Sequence, residues 1–404
     1  MKKNFIHWLF LLAVVKLFAS CDNDTALTQS PQTENPNLIG IEEALDNADA
    51  MFSQVYGSTR AIRRPSSIVR FGSSKTRTSD DEGLEGYYVV NYDGGGFSVL
   101  SADKRQNGSV YAISNVSSLN LTDTIENKGL GMYLNEILPS IASKASIKPI
   151  DPEYPGEPID PIDPGWTYYN KHSDPLLAGF HSKFRQGEPY NYYCNLRAPE
   201  NVRYIVGCVP LAVGTVMGYY SWPSSLEGYS LDWNAMHNSS QNLLWARLFE
   251  ILGRKRYVDA QYSHNVTSAY SKNIPRAFVN AGYTGAKYES FDTSVVNASL
   301  GNKNPVLCDG IEDGANSGHE WIIDGGFTKG YIEMPITPDD QKKKVYDSYY
   351  HCVWGWGGMA NGYYLYSHSR GLGEILSELD PGNYPYQAPS YNKLRIVHGY
   401  KPNK

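Results

Sequence analysis

The stretch Val206-Gly207-Cys208-Val209-Pro210-Leu211-Ala212-Val213-Gly214-Thr215-Val216-Met217-Gly218-Tyr219-Tyr220 reads as a buried helix with a cysteine in its first turn. The residues after Gly207 are mostly apolar and none is charged. Pro210 lies near the front, where its missing N–H costs nothing because first-turn donors have no intrahelical partner. Gly214 and Gly218, four apart, leave one face bare for close packing. The free N–H groups and the positive end of the helix dipole point at Cys208 and favour its thiolate, the nucleophilic form. The same stretch also reads as plain core, since free cysteine is among the most buried residue types.

Around this stretch, the 404 residues suffice for two or three domains. Lys plus Arg number 36 against 42 Asp plus Glu, a net charge of −6 with no basic block, which argues against nucleic acid as a partner. Thirty-two tyrosines, 37 glycines and 23 prolines suit an exported, β-rich protein with many turns.

Residues 1–20 carry Lys2 and Lys3 and then an apolar run over 8–15, an export signal rather than a membrane span. The run ends in Leu17-Phe18-Ala19-Ser20-Cys21 before the polar Asp22-Asn23-Asp24. That ending resembles a bacterial lipoprotein signal, which implies that Cys21 becomes a lipidated N-terminus. The protein is then expected at the cell envelope or surface, held to the membrane by its acyl chains alone and released if processing cuts the tether. An ordinary cleaved signal with a chance cysteine is the alternative. Cys194, Cys208, Cys308 and Cys352 form neither a disulfide framework nor a zinc pattern.

Residues 21–38 read as a flexible tether. Ile41, Ala44, Leu45, Ala48, Met51, Phe52 and Val55 fall at helical spacing and predict a helix over 41–56. Residues 60–81 read as loop. Strands are predicted at 87–91 and 96–101, joined through Asp93-Gly94-Gly95, with a third at 110–114. A second helix over 130–145 is expected to kink at Pro139. Residues 39–145 thus read as a small α+β unit with its own core, and without cysteine or histidine its role is regulatory rather than chemical. Residues 146–165 carry a proline every few positions and read as an extended, protease-accessible linker, with activation cleavage nearby and a second domain over 166–404.

Four segments between about Pro175 and Pro402 resemble the streptopain-like cysteine peptidases, papain-related bacterial enzymes made as zymogens. In Arg185-Gln186-Gly187-Glu188-Pro189-Tyr190-Asn191, Gln186 matches the family's oxyanion-hole glutamine. Gly207-Cys208-Val209, running on to Met217, Tyr219, Tyr220 and Pro223, matches the nucleophile helix. Gly318-His319-Glu320-Trp321-Ile322-Ile323-Asp324-Gly325 matches the strand that supplies the general base, His319. His351-Cys352-Val353-Trp354-Gly355-Trp356-Gly357-Gly358 keeps the shielding Trp354 but has Val353 where the family's histidine-orienting asparagine stands. Valine has no side-chain hydrogen bond to offer, so a dyad assisted by backbone or water is expected. Asn361 falls at a glycine-turn position and receives no role; His264, His351 and His368 are reserve bases. Gly95-Gly96-Phe97-Ser98-Val99-Leu100-Ser101-Ala102-Asp103 resembles the family's propeptide.

The resemblance implies an α+β fold: a papain-like, two-lobed peptidase domain over 166–404, preceded by an inhibitory prodomain over 39–145. It implies an endopeptidase that acts without cofactor or metal on protein or peptide substrates, with its own prodomain as inhibitor. It also implies an apolar side chain just before the residue at the cleaved bond. Two rivals remain open: a catalytically weakened surface lipoprotein that binds peptides or host proteins, and a transamidase using the same cysteine and histidine.

Overall fold

The computed structural model describes residues 37–57, 63–72, 86–142, 162–177, 179–197, 202–239, 243–262, 267–311, 318–333, 343–370 and 394–404. The signal, Cys21, most of the tether, His264 and most of the linker lie outside these residues.

Helix α1 (Ile41–Tyr56) buries Ala44, Ala48, Met51 and Phe52, the stripe its spacing predicts, and carries Glu42 and Glu43 in its first turn, where acidic groups meet the positive end of the dipole. Strand β1 (Pro65–Phe71) falls where the sequence reads as loop. Six of its seven residues are exposed, so no buried face imposes an alternating pattern, and pairing with β2 (Tyr87–Tyr92) is what makes it a strand. Strands β3 (Phe97–Ser101) and β4 (Val110–Ser114) follow within a residue of their predicted positions. Helix α2 (Lys128–Met132) runs through a π-helical turn at Tyr133–Ile137 into α3 (Leu138–Ala142). The widened turn comes just before Pro139, which has no N–H to continue the ladder.

Strand β5 (Ile162–Ser173) takes up the end of the predicted linker. Then come helices α4 (Cys208–Tyr220) and α5 (Leu243–Gly253), and strands β6 (Lys287–Ser290), β7 (Val306–Ile311), β8 (Gly318–Glu333), β9 (Lys343–Val353), β10 (Gly362–Arg370) and β11 (Arg395–His398). All eleven strands join one antiparallel sheet in the order β1-β2-β3-β4-β10-β9-β8-β7-β11-β6, with β5 on β8 beside β7.

Two cores flank this sheet because successive side chains of a strand point to opposite faces. On one face Leu307, Ile322 and Val353 pack under α4 and α5. A Cβ on Gly214 or Gly218 would come 2.6 Å from Phe249 or Trp245, so the bare stripe of α4 is where α5 docks. On the other face Trp321, Ile323, Phe327, Tyr349 and Tyr364 share one cluster with Phe52, Val99, Tyr111, Leu130 and Tyr133. The 39–145 unit therefore does not have a core of its own. It shares one with the peptidase region because β4 pairs β10, Ile113 opposite Tyr363 and Ala112 opposite Tyr364, making the sheet continuous. The Tyr133 and Tyr364 rings meet edge to face at 4.7 Å, and Tyr349 donates its hydroxyl to Val110 O at 2.7 Å. Burying one such large side chain contributes about 1.5–3 kcal/mol.

Candidate active site

Cys208 opens α4, as the sequence predicts, and Gly207 before it is required twice over. Its φ of 93° is one that only glycine adopts freely, and a Cβ there would come 2.9 Å from Thr267 Cγ2. The backbone N–H groups of Glu320, Val209 and Cys208 itself face the sulfur and favour a thiolate. They do not prevail. Cys208 is only half-buried by surface area, but protein packs densely round its sulfur, and this desolvation pushes the thiol up to about 12, helped by the Glu320 carboxylate. The expectation of a thiolate is thus overturned in this form of the molecule, because burial outweighs the helix N-terminus. A cavity touching Cys208 between α4 and β8 has about 10 Å³, roughly one water.

His319 stands second in β8, where the sequence puts it, but its ring nitrogen is engaged elsewhere than at Cys208. No hydrogen bond joins the two side chains. His319 Nε2 donates instead to Trp354 O at 2.9 Å. The imidazole is buried between Trp321 and Trp356, and desolvation lowers its pKa to about 4, against a smaller upward effect of the Trp354 carbonyl. What covers it is the first turn of α2. A Cβ on Gly129 would come 2.6 Å from His319 Cδ2 and 2.9 Å from the Trp354 ring. One residue of the N-terminal unit thus lies directly on the His319 imidazole. The Cys208 thiol and the His319 imidazole are both neutral around pH 7 in this arrangement.

The remaining segments converge on the same place. Gln186 is buried, and its backbone carbonyl accepts from Val206 N, two residues before Cys208. Arg185 bridges Trp356, and Gly357 N donates to Phe184 O, tying the Gln186 loop to the tryptophan loop. Trp354 is fully buried and donates its indole N–H to Ala360 O. Val353 packs in the helical core and lines the small cavity at Cys208.

Asn361, given no role from sequence, braces this loop. Its Oδ1 accepts from Trp354 N at 3.1 Å and its Nδ2 donates to Ser182 O at 2.7 Å, with the residue 5% exposed. The signal available was an asparagine closing a glycine-rich turn against a strand. Among the reserve bases, His351 pairs with Asp324 at 2.6 Å and His368 with Asp347 at 2.7 Å. A roomier cavity, about 490 Å³, lies away from Cys208, between Tyr56 and Ser117 on one side and Leu177, Lys183 and His351 on the other.

Residues 184–364, which hold all four converging segments, match the Peptidase C10 family. This region is a streptopain-like cysteine peptidase domain. The peptidase domain follows a region, residues 36–139, that matches the Spi protease inhibitor family. The chain is similar to streptopain of Streptococcus pyogenes, 23% identical over 382 residues that span 83% of this chain and 87% of streptopain. Its fold is that of a prointerpain A fragment from Prevotella intermedia, an alanine-for-cysteine mutant: TM-score 0.51, 19% identity, 84% of this chain and 99% of the fragment. The α+β peptidase fold with a preceding inhibitor-like prodomain stands, and the enzyme class is cysteine-type endopeptidase.

Proposed function

We propose that this chain is the latent form of an exported endopeptidase that hydrolyses protein substrates through Cys208 and His319. The observation that carries this reading is the contact of Gly129 with His319, which holds the base on Trp354 O and away from the nucleophile. Removal of the prodomain frees His319 to turn to Cys208 and also rewets the thiol, so the helix N-terminus and the facing N–H groups prevail.

The reaction then runs as acyl transfer. His319 takes the Sγ proton as sulfur attacks the peptide carbonyl carbon. The Gln186 amide and the Cys208 N–H donate to the oxyanion, each donor worth about 3 kcal/mol in such sites. His319 returns the proton to the leaving amine as the C–N bond breaks, and water, deprotonated by the same imidazole, hydrolyses the thioester. Trp354 excludes bulk water from the pair, and backbone or water takes the orienting part that the Val353 side chain cannot play.

The test is active-site labelling with an irreversible thiol-directed epoxide, read by intact mass and peptide mapping. The full chain is compared before and after limited proteolysis in the 143–161 segment, with Cys208→Ala as control. Labelling at Cys208 is expected to be fast after cleavage, slow before it and absent in the control. No labelling of the cleaved, folded protein transfers the case to a binding lipoprotein. A fluorogenic peptide assayed with and without added amine separates hydrolysis from transamidation.

We further propose that Cys21 carries the acyl anchor and holds the enzyme at the cell envelope, because the apolar run ends in small residues and Cys21 before a polar stretch. Metabolic labelling with an alkynyl fatty acid is expected to mark the wild type and not Cys21→Ser. Equal labelling of both rejects the anchor.

A further inference from the structure

Next to His319, the sheet carries an acidic pair on its helical face. Strand alternation puts Glu320 on the face of Ile322, under α4, and its register partner on β7 is Asp309. Glu320 is 2% exposed. Each carboxylate has one oxygen partnered and one not. Ser271 Oγ donates to Glu320 Oε2 at 2.5 Å and Tyr288 OH to Asp309 Oδ2 at 3.3 Å, while Glu320 Oε1 and Asp309 Oδ1 are buried with no hydrogen-bond partner.

Neither carboxylate has an ion-pair partner among the described residues. Arg395, opposite Asp309 on β11, donates to Ser290 Oγ and reaches Asp309 only as a charge that partly offsets its burial. Burial pushes both carboxyls up, and Glu320 is pushed further by Asp309. Half-satisfied buried carboxylates are costly, and two of them paired across neighbouring strands call for an explanation. What the arrangement lacks is a donor-rich cation.

Its position says where that cation comes from. The Glu320 N–H faces the Cys208 sulfur, so its side chain is an immediate neighbour of the nucleophile. Ser271 is only half-buried and follows Tyr270, which is 70% exposed, so the pair lies one side chain beneath the surface. An extended peptide advances about 3.3 Å per residue, which puts a side chain within two residues of the cleaved bond over this spot.

We infer that Asp309 and Glu320 floor a substrate subsite for a Lys or Arg side chain within two residues of the bond that Cys208 attacks. The inference rests on the peptidase reading and departs from the apolar side chain that the family resemblance implies. An ammonium or guanidinium there supplies donors to Glu320 Oε1 and Asp309 Oδ1, in charge-assisted bonds about twice as strong as neutral ones.

The experiment uses the full-length protein activated by limited proteolysis. Fluorogenic peptides carry Lys, Arg, norleucine or Glu in turn at each position from three before to two after the cleaved bond. At one position the wild type is expected to prefer Lys or Arg over norleucine by about tenfold or more in kcat/KM, a step of about 1.4 kcal/mol. Glu320→Gln and Asp309→Asn, both isosteric, are each expected to remove most of that preference. Epoxide titration of Cys208 counts the folded enzyme in every variant. A wild-type preference for norleucine at all positions, or a basic preference that neither variant moves, overturns the subsite while leaving the peptidase standing. If Cys208 does not label and no peptide turns over, the peptidase reading falls and takes the subsite with it.

Discussion

Gly129 of the prodomain lies on His319 with no room for a methyl group between them: a Cβ would stand 2.6 Å from the imidazole and 2.9 Å from the Trp354 ring. Gly129→Ala must therefore shift α2 or the base. Overpacking of this kind typically costs about 1–3 kcal/mol, against about 1 kcal/mol gained in helix propensity. The expected outcome is a leaky zymogen, whose uncleaved chain labels at Cys208 about tenfold faster than wild type. Unchanged labelling would place the block elsewhere.

Acid should loosen the closed form through His319. Its pKa is lowered from 6.5 to about 4 when buried, so below pH 6.5 the released imidazole binds a proton that the buried one refuses. The closed form loses stability as pH falls from 6.5 towards 4, by up to about 3 kcal/mol at 1.36 kcal/mol per unit. Asp309 and Glu320, raised by burial, act in the opposite sense over part of this range. The comparison is therefore the pH dependence of Tm for the uncleaved wild type minus that for His319→Gln, which is expected to fall on acidification.

Asn361→Ala removes the two bonds its side chain makes and leaves Trp354 N and Ser182 O without them. Each buried group so stranded costs about 1–3 kcal/mol. Urea denaturation should report a loss of that order. In the cleaved enzyme kcat is expected to fall more than KM rises if His319 is the base, because Trp354, which seats it, is no longer braced.

Tyr349→Phe removes a peptidase-side donor to the prodomain carbonyl of Val110. At about 1–3 kcal/mol for the stranded acceptor, the cleaved prodomain should leave about five- to a hundredfold faster. The appearance of epoxide-reactive Cys208 after a pulse of protease measures this rate.

Much of this was legible before any coordinates. The α4 stripe, the α1 face and three prodomain strands declare themselves because each has a buried side that writes a period into the sequence. Cys208, His319, Gln186 and Trp354 are candidates because of their local motifs, and the fold brings those segments together. β1 stayed unread because it has no buried side, and Asn361 because its role is a bond to backbone seven residues away. The covering of His319 was illegible for a different reason. It depends on a missing atom, the Cβ of Gly129, that matters only when two distant parts of the chain meet. Nor could the thiol's state be read locally, since the helix terminus that favours thiolate is visible in sequence and the desolvation that defeats it is not.

The pairing of β4 with β10 has one more consequence. While the prodomain is in place, the peptidase half of the sheet has no free rim at Tyr363 and Tyr364. Departure of the prodomain unzips that border and uncovers the tyrosine-rich face behind it, an open strand ready to recruit any extended chain. Maturation thus makes a stickier molecule as well as an active one, and the mature enzyme must find a new neighbour for that rim or clump with its own copies.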